Sequence, residues 1–74
     1  METEKLDVRK KTCPMPVLLT KRKLEKMDDG KVLEVIGDYR PALENIQRWA
    51  KNDGHEIIDV TDSPPGFKIK IKKH

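Results

Sequence analysis

The chain holds one cysteine, Cys13, set in the run Cys13-Pro14-Met15-Pro16. A single thiol excludes an intramolecular disulfide, and it excludes dithiol oxidoreductase chemistry, which needs a resolving cysteine in the same chain. A zinc centre needs three or four ligands, and no such set surrounds this cysteine in the sequence. A cysteine hydrolase would hold a histidine beside its nucleophile, but His55 opens a strand and His74 is the terminal residue, so neither is a convincing base. A lone activated thiol can still accept a group from one partner and pass it to another. The ionised thiol is the attacking form, and it is favoured at a helix N-terminus, where unpaired N–H groups and the helix dipole supply positive potential. Arg9, Lys10 and Lys11 precede Cys13, and Lys21 and Arg22 follow one to two turns later, all adding to that field. The plain alternative is a small buried hydrophobe, a common fate of free cysteine. The flanking prolines fix the backbone at the start of a helix and favour a thiol turned toward solvent.

The elements that must position this thiol follow from apolar periodicity. Residues 5–9 alternate at Leu6 and Val8 and predict a first strand. A helix is expected from about Pro14 to Asp29-Gly30, with Val17, Leu18, Leu24 and Met27 as its core stripe. Lys31 to Gly37 is dense in β-branched residues and reads as a central strand. Asp38-Tyr39-Arg40-Pro41 signals a second helix through Ala42, Leu43, Ile46, Trp49 and Ala50, ending at Asn52-Asp53-Gly54. Asp38 reads as its cap, with a role at the thiol as the alternative. Ile57, Ile58 and Val60 predict a third strand, and Ser63-Pro64-Pro65-Gly66 a turn into Phe67, Ile69 and Ile71 alternating with Lys68, Lys70 and Lys72. The order βαβαββ, with right-handed crossovers, predicts an α/β two-layer sandwich: a four-stranded mixed sheet with two helices on one face. Trp49 at helical spacing reads as core, and His55 as a strand-end polar residue.

Seventy-four residues allow one domain, spanning 1–74. No apolar run approaches the roughly 20 residues that span a bilayer, and the N-terminus lacks a signal-peptide pattern, so a cytoplasmic location without membrane attachment is expected. Sixteen Lys and Arg against thirteen Asp and Glu give a net charge of +3, too modest to name a nucleic-acid partner. The lysine stripe 68, 70, 72 could serve a basic RNA- or protein-binding module, but the aromatic platforms of RNA-binding sheets are missing, which makes direct nucleic-acid contact unfavoured. A single-cysteine redox switch is the third reading. No metal, flavin or nucleotide motif appears, so no cofactor is expected.

From Leu6 to Lys72 the chain resembles the TusA (SirA-like) sulfur-carrier family of small βαβαββ domains. The likeness rests on Asp7 six residues before the cysteine, on Cys13-Pro14-Met15-Pro16-Val17-Leu18, on Gly30, on Asp38, and on Gly54-His55-Glu56. It implies a sulfurtransferase in which Cys13 takes up sulfane sulfur as a persulfide from a cysteine desulfurase or rhodanese-like donor and delivers it to an acceptor protein. The routes such proteins serve include tRNA thiolation, molybdenum-cofactor enzymes and sulfur oxidation. Pro14, Met15, Pro16 and Asp38 would shape the site. Arg9, Lys10, Lys11, Lys21 and Arg22 would meet acidic partner surfaces. Two positions depart from the family's pattern: Lys10 stands where members commonly carry glycine, and Asp38-Tyr39-Arg40-Pro41 replaces Asp-Asp-Pro.

Overall fold

Val32, Leu33, Glu34 and Val35 are all buried in succession, as befits a central strand flanked on both edges within its sheet. They open β2 (Val32–Gly37), which in the computed structural model lies between β1 (Thr3–Asp7) and β4 (Gly66–Lys72), with β3 (Glu56–Ser63) outermost in the order β1-β2-β4-β3. The structure describes residues 3–12 and 15–74. β1 pairs with β2 in parallel, and β4 is antiparallel to both β2 and β3. Two helices, α1 (Met15–Glu25) and α2 (Arg40–Asn52), follow β1 and β2 and give the βαβαββ order. The fold is therefore the expected two-layer α/β sandwich with a mixed sheet.

Ladder partners assign the two sheet faces. Leu33 lies between Glu4 and Ile71, and Val35 between Leu6 and Ile69. Leu33, Val35, Phe67, Ile69 and Ile71 form one buried cluster with Leu24 of α1 and Ala42, Ile46 and Ala50 of α2. Gly37 pairs with Phe67, and a Cβ at this glycine would lie 2.5 Å from the ring's Cζ. Only a residue without a side chain lets that ring close the core.

The opposite face carries Lys5, Glu34, Lys70 and Asp59 across successive strands. Lys68, Lys70 and Lys72 point there as expected, while Phe67, Ile69 and Ile71 point inward and are buried. Glu34, with its side chain only 10% exposed, ion-pairs with Lys68 at 3.2 Å.

Several boundaries differ from the sequence expectation. β1 starts at Thr3 and stops at Asp7, although Val8 still donates its N–H to the Ile36 carbonyl at 2.7 Å. α1 ends at Glu25, and the chain tightens through i→i−3 bonds from Lys26 to Lys23 and from Met27 to Leu24. The Lys73 ammonium fixes this exit by donating to the Met27 carbonyl at 2.6 Å. Leu18, expected in the core stripe, is 40% exposed. Leu24 and Met27 are buried as expected and Val17 packs half-buried against the core, while Pro16 and Thr20 complete the stripe, the buried Thr20 hydroxyl donating to the Pro16 carbonyl at 2.7 Å. α2 follows its expected pattern and closes at Gly54, whose φ of 86° admits glycine easily, with His55 N–H bonded to the Ala50 carbonyl. β3 is longer than expected and carries a register shift between Ile57 and Asp59. Among the described residues, no helix is long and apolar enough to cross a membrane.

Candidate functional site

The carboxyl ends of the parallel strands β1 and β2 lie side by side, and the chain leaves both there to enter helices, the position where open α/β sheets bind ligands. A cleft of ≈ 410 Å³ opens at this edge, lined by Asp7, Arg9, Lys10 and Asp38. The segment that runs through it leads to Cys13. The expected thiol, Cys13, and the first proline of its motif, Pro14, lie outside the described residues.

Hydrogen bonds fix that chain closely. Asp7 Oδ1 accepts the Arg9 backbone N–H at 2.9 Å and its Nε at 3.0 Å, while Oδ2 accepts a terminal guanidinium nitrogen at 2.7 Å. This combines a side-chain turn with a bidentate fork. The side-chain bonds from Arg9, then its backbone N–H, hold the Asp7 carboxyl down at about 2, and the same fork raises the guanidinium. Lys10 has a φ of 67°, and its N–H donates to Asp38 Oδ1 at 2.9 Å. Lys11 N–H turns back to the Val8 carbonyl at 3.2 Å, and Met15 N–H bonds the Thr12 carbonyl at 2.9 Å as α1 begins.

Of the residues picked out from the sequence, Arg9, Lys10 and Asp38 come together in the cleft. Lys11 is exposed beside them in the chain. Met15, the first residue of α1, is 40% exposed, whereas Pro16 is buried and belongs to the core stripe. Lys21 and Arg22 are exposed on the second half of α1 and do not line the cleft. Asp38 is not the cap of α2: Tyr39 occupies the N-cap position without a side-chain hydrogen bond, and Pro41 stands in the first turn. The carboxylate is spent on Lys10 instead. Arg9, expected to add to the field at the thiol, is clamped by Asp7, a pairing that the residues' own spacing did not announce because Asp-x-Arg looks like ordinary strand alternation. Lys10 in a left-handed conformation fits its standing where the resembled family carries glycine.

The two histidines sit at the other end of the sheet, where β3 begins opposite the end of β4. His55 Nδ1 accepts the His74 N–H at 3.2 Å, its Nε2 lies 3.2 Å from Asp53, and its ring is 5.5 Å from that of Trp49. His55 is thus engaged far from the cleft. Among the described residues, no group of three or more His, Cys, Asp or Glu could hold a metal ion.

Comparison with known proteins agrees with this architecture. The family model of the sulfurtransferase TusA matches residues 4–73. A Methanocaldococcus jannaschii protein, named as a candidate sulfur carrier, is 50% identical over 95% of this chain and 93% of its own length. A Bacillus subtilis protein of the same designation is 32% identical over 99% of each chain. The crystal structure of a SirA-like protein from Desulfitobacterium hafniense shares the fold, with a TM-score of 0.79 over 96% of both chains at 24% identity. With the family model covering nearly the whole chain and relatives named as sulfur carriers matching it end to end, the protein belongs to the TusA sulfurtransferase family.

Proposed function

We propose that the protein carries sulfane sulfur as a persulfide on Cys13 between a donor and an acceptor protein in the cytosol. The observation that carries this reading is the pinned segment: the backbone N–H groups of Arg9, Lys10, Lys11 and Met15 are all bonded, so the chain on both sides of Cys13 is held at the strand ends. In the first half-reaction the Cys13 thiolate attacks the outer sulfur of a donor persulfide. The new Cys13–S bond forms as the donor's S–S bond breaks, and the donor's own cysteine leaves as a thiolate. In the second, an acceptor nucleophile attacks the same outer sulfur and Cys13 leaves as thiolate. Neither step consumes an oxidant or requires a metal.

A cysteine desulfurase or a rhodanese-like protein is the fitting donor class. Lys10, Lys11, Lys21 and Arg22 would steer acidic partner surfaces, Arg9 would contribute less because of its fork with Asp7, and Pro14, Met15, Pro16 and Asp38 would shape the approach to the sulfur. Intact mass spectrometry of the reduced protein after mixing with a persulfide donor tests the reading, with Cys13→Ser beside it. Gain of one sulfur atom, reversed by reductant and absent in Cys13→Ser, is the expected result. A thiol that alkylates readily yet takes no sulfur from desulfurase, rhodanese or small persulfide donors would overturn it in favour of a redox switch.

A further inference from the structure

Asp38 stands one residue before Tyr39, the N-cap of α2, and α2 starts without any side-chain cap. Its Oδ1 reaches 28 residues back along the chain to accept the N–H of Lys10. Lys10 is the one non-glycine among the described residues with a positive φ. That conformation presses a Cβ toward the following carbonyl and is disfavoured for lysine, so it persists only where something holds it. The Lys11 N–H bond to the Val8 carbonyl closes the turn from within, and Asp38 is the contact that ties it to β2 and the segment before α2. Two residues, Lys11 and Thr12, separate this point from Cys13 in the sequence.

We propose that Asp38 is a positioning residue for Cys13: by holding Lys10 in the left-handed conformation it fixes the course of Lys11-Thr12 and makes the thiol's reactivity depend on the start of α2. This rests on the reading above only in taking Cys13 as the reacting group. The role is separable from a charge effect because the two have opposite signs. A carboxylate near a thiol disfavours the thiolate, so removing its charge alone makes Cys13 more reactive. Losing the hold on Lys10 instead releases the segment and makes it less reactive.

Three substitutions resolve the two. Asp38→Asn keeps an oxygen acceptor and loses the charge, Asp38→Ala loses both, and Lys10→Gly removes the need for a hold because glycine adopts the turn freely. The measurement is the rate of Cys13 alkylation by iodoacetamide as a function of pH, on variants whose folding is verified by circular dichroism. Asp38→Asn should react at least as fast as wild type and Asp38→Ala several-fold more slowly, whereas Lys10→Gly combined with Asp38→Ala should be no slower than Lys10→Gly alone, the background in which the charge of Lys10 is already gone. An Asp38→Ala protein that matches or exceeds Asp38→Asn overturns the proposal, and so does a slowing by Asp38→Ala that is as large in the Lys10→Gly background as in wild type. Amide exchange supplies a readout that needs no variant to fold: a Lys10 amide exchanging at the free-peptide rate in the wild-type protein also overturns it. Should sulfur uptake fail while this alkylation pattern holds, the persulfide reading falls and the positioning role stands.

Discussion

Three carboxylates tie the acid response of the protein to single side-chain pairs: Glu4 with Lys23 at 2.9 Å, Asp7 with Arg9 at 2.7 Å and Asp62 with Arg40 at 2.8 Å. In each case a hydrogen bond from the basic partner is the largest cause, and it moves the carboxyl below its ordinary value. Asp7 moves furthest, from 3.8 to about 2. A carboxyl depressed on folding adds stability that is complete above its unfolded pKa and is lost as pH falls through the folded one. For Asp7 that window runs from near pH 4 down to about 2. Asp7→Asn should therefore be less stable than wild type at neutral pH, and the gap in urea midpoint should close as pH falls toward 2 and narrow with added salt, since the pair is exposed. A gap that stayed constant down to the lowest pH would show that the fork contributes nothing through ionisation. The fork itself was hidden in the sequence, because its three bonds depend on Arg9 leaving the strand and folding back over Asp7.

Helix α1 shows how element structure can escape an apolar pattern. Leu18 looks like core by identity, but the buried positions are Pro16, Thr20, Leu24 and Met27, and the polar name of Thr20 conceals the stripe. The physical reason is that a proline at the helix start can be buried at no cost in hydrogen bonding, and a threonine can return its hydroxyl to the carbonyl one turn back. Leu24→Ala should then cost about 2–5 kcal/mol, the range for a fully buried leucine, while Leu18→Ala should stay within about 0.5 kcal/mol. Chemical denaturation of both variants measures this directly, and equal costs would restore the stripe read from leucine positions. By contrast α2 was legible, since Ala42, Ile46 and Ala50 are apolar and fully buried at four-residue spacing. So were β2 and β4, one continuous and one strictly alternating. The cleft was legible only in part. Lys10 and Asp38 could be named, but not their bond, because a contact spanning 28 residues exists only once β1 and β2 lie side by side.

At the scale of the whole molecule, the open sheet face is the surface a basic binding module would use. Lys68, Lys70 and Lys72 do lie on it, but each faces acidic or neutral neighbours rather than more lysine. Lys70 stands between Glu34 and Asp59, Lys72 is opposite Glu56, and Lys68 is paired with Glu34. Glu34 is drawn into the middle of the face by Lys5 on one side and Lys70 on the other, an arrangement of alternating signs that stabilises the ladder. Such a face has little uncompensated potential with which to displace counterions from a phosphate backbone. Val32, set between Thr3 and Lys72 in the ladder, is only 3% exposed on this face although both helices pack on the other. The lysines thus keep a helix-free sheet face wet and soluble without making it basic. Titration of a single-stranded RNA by fluorescence anisotropy at increasing salt should show weak binding with a shallow salt slope, little altered when Lys68, Lys70 and Lys72 are all changed to Gln. Sulfur uptake by that triple variant should match wild type, since the cleft at the ends of β1 and β2 contains none of these residues. A steep salt slope abolished in the triple variant would instead make this face a nucleic-acid surface, and the carrier would then have a second partner class on the side of the sheet away from its helices.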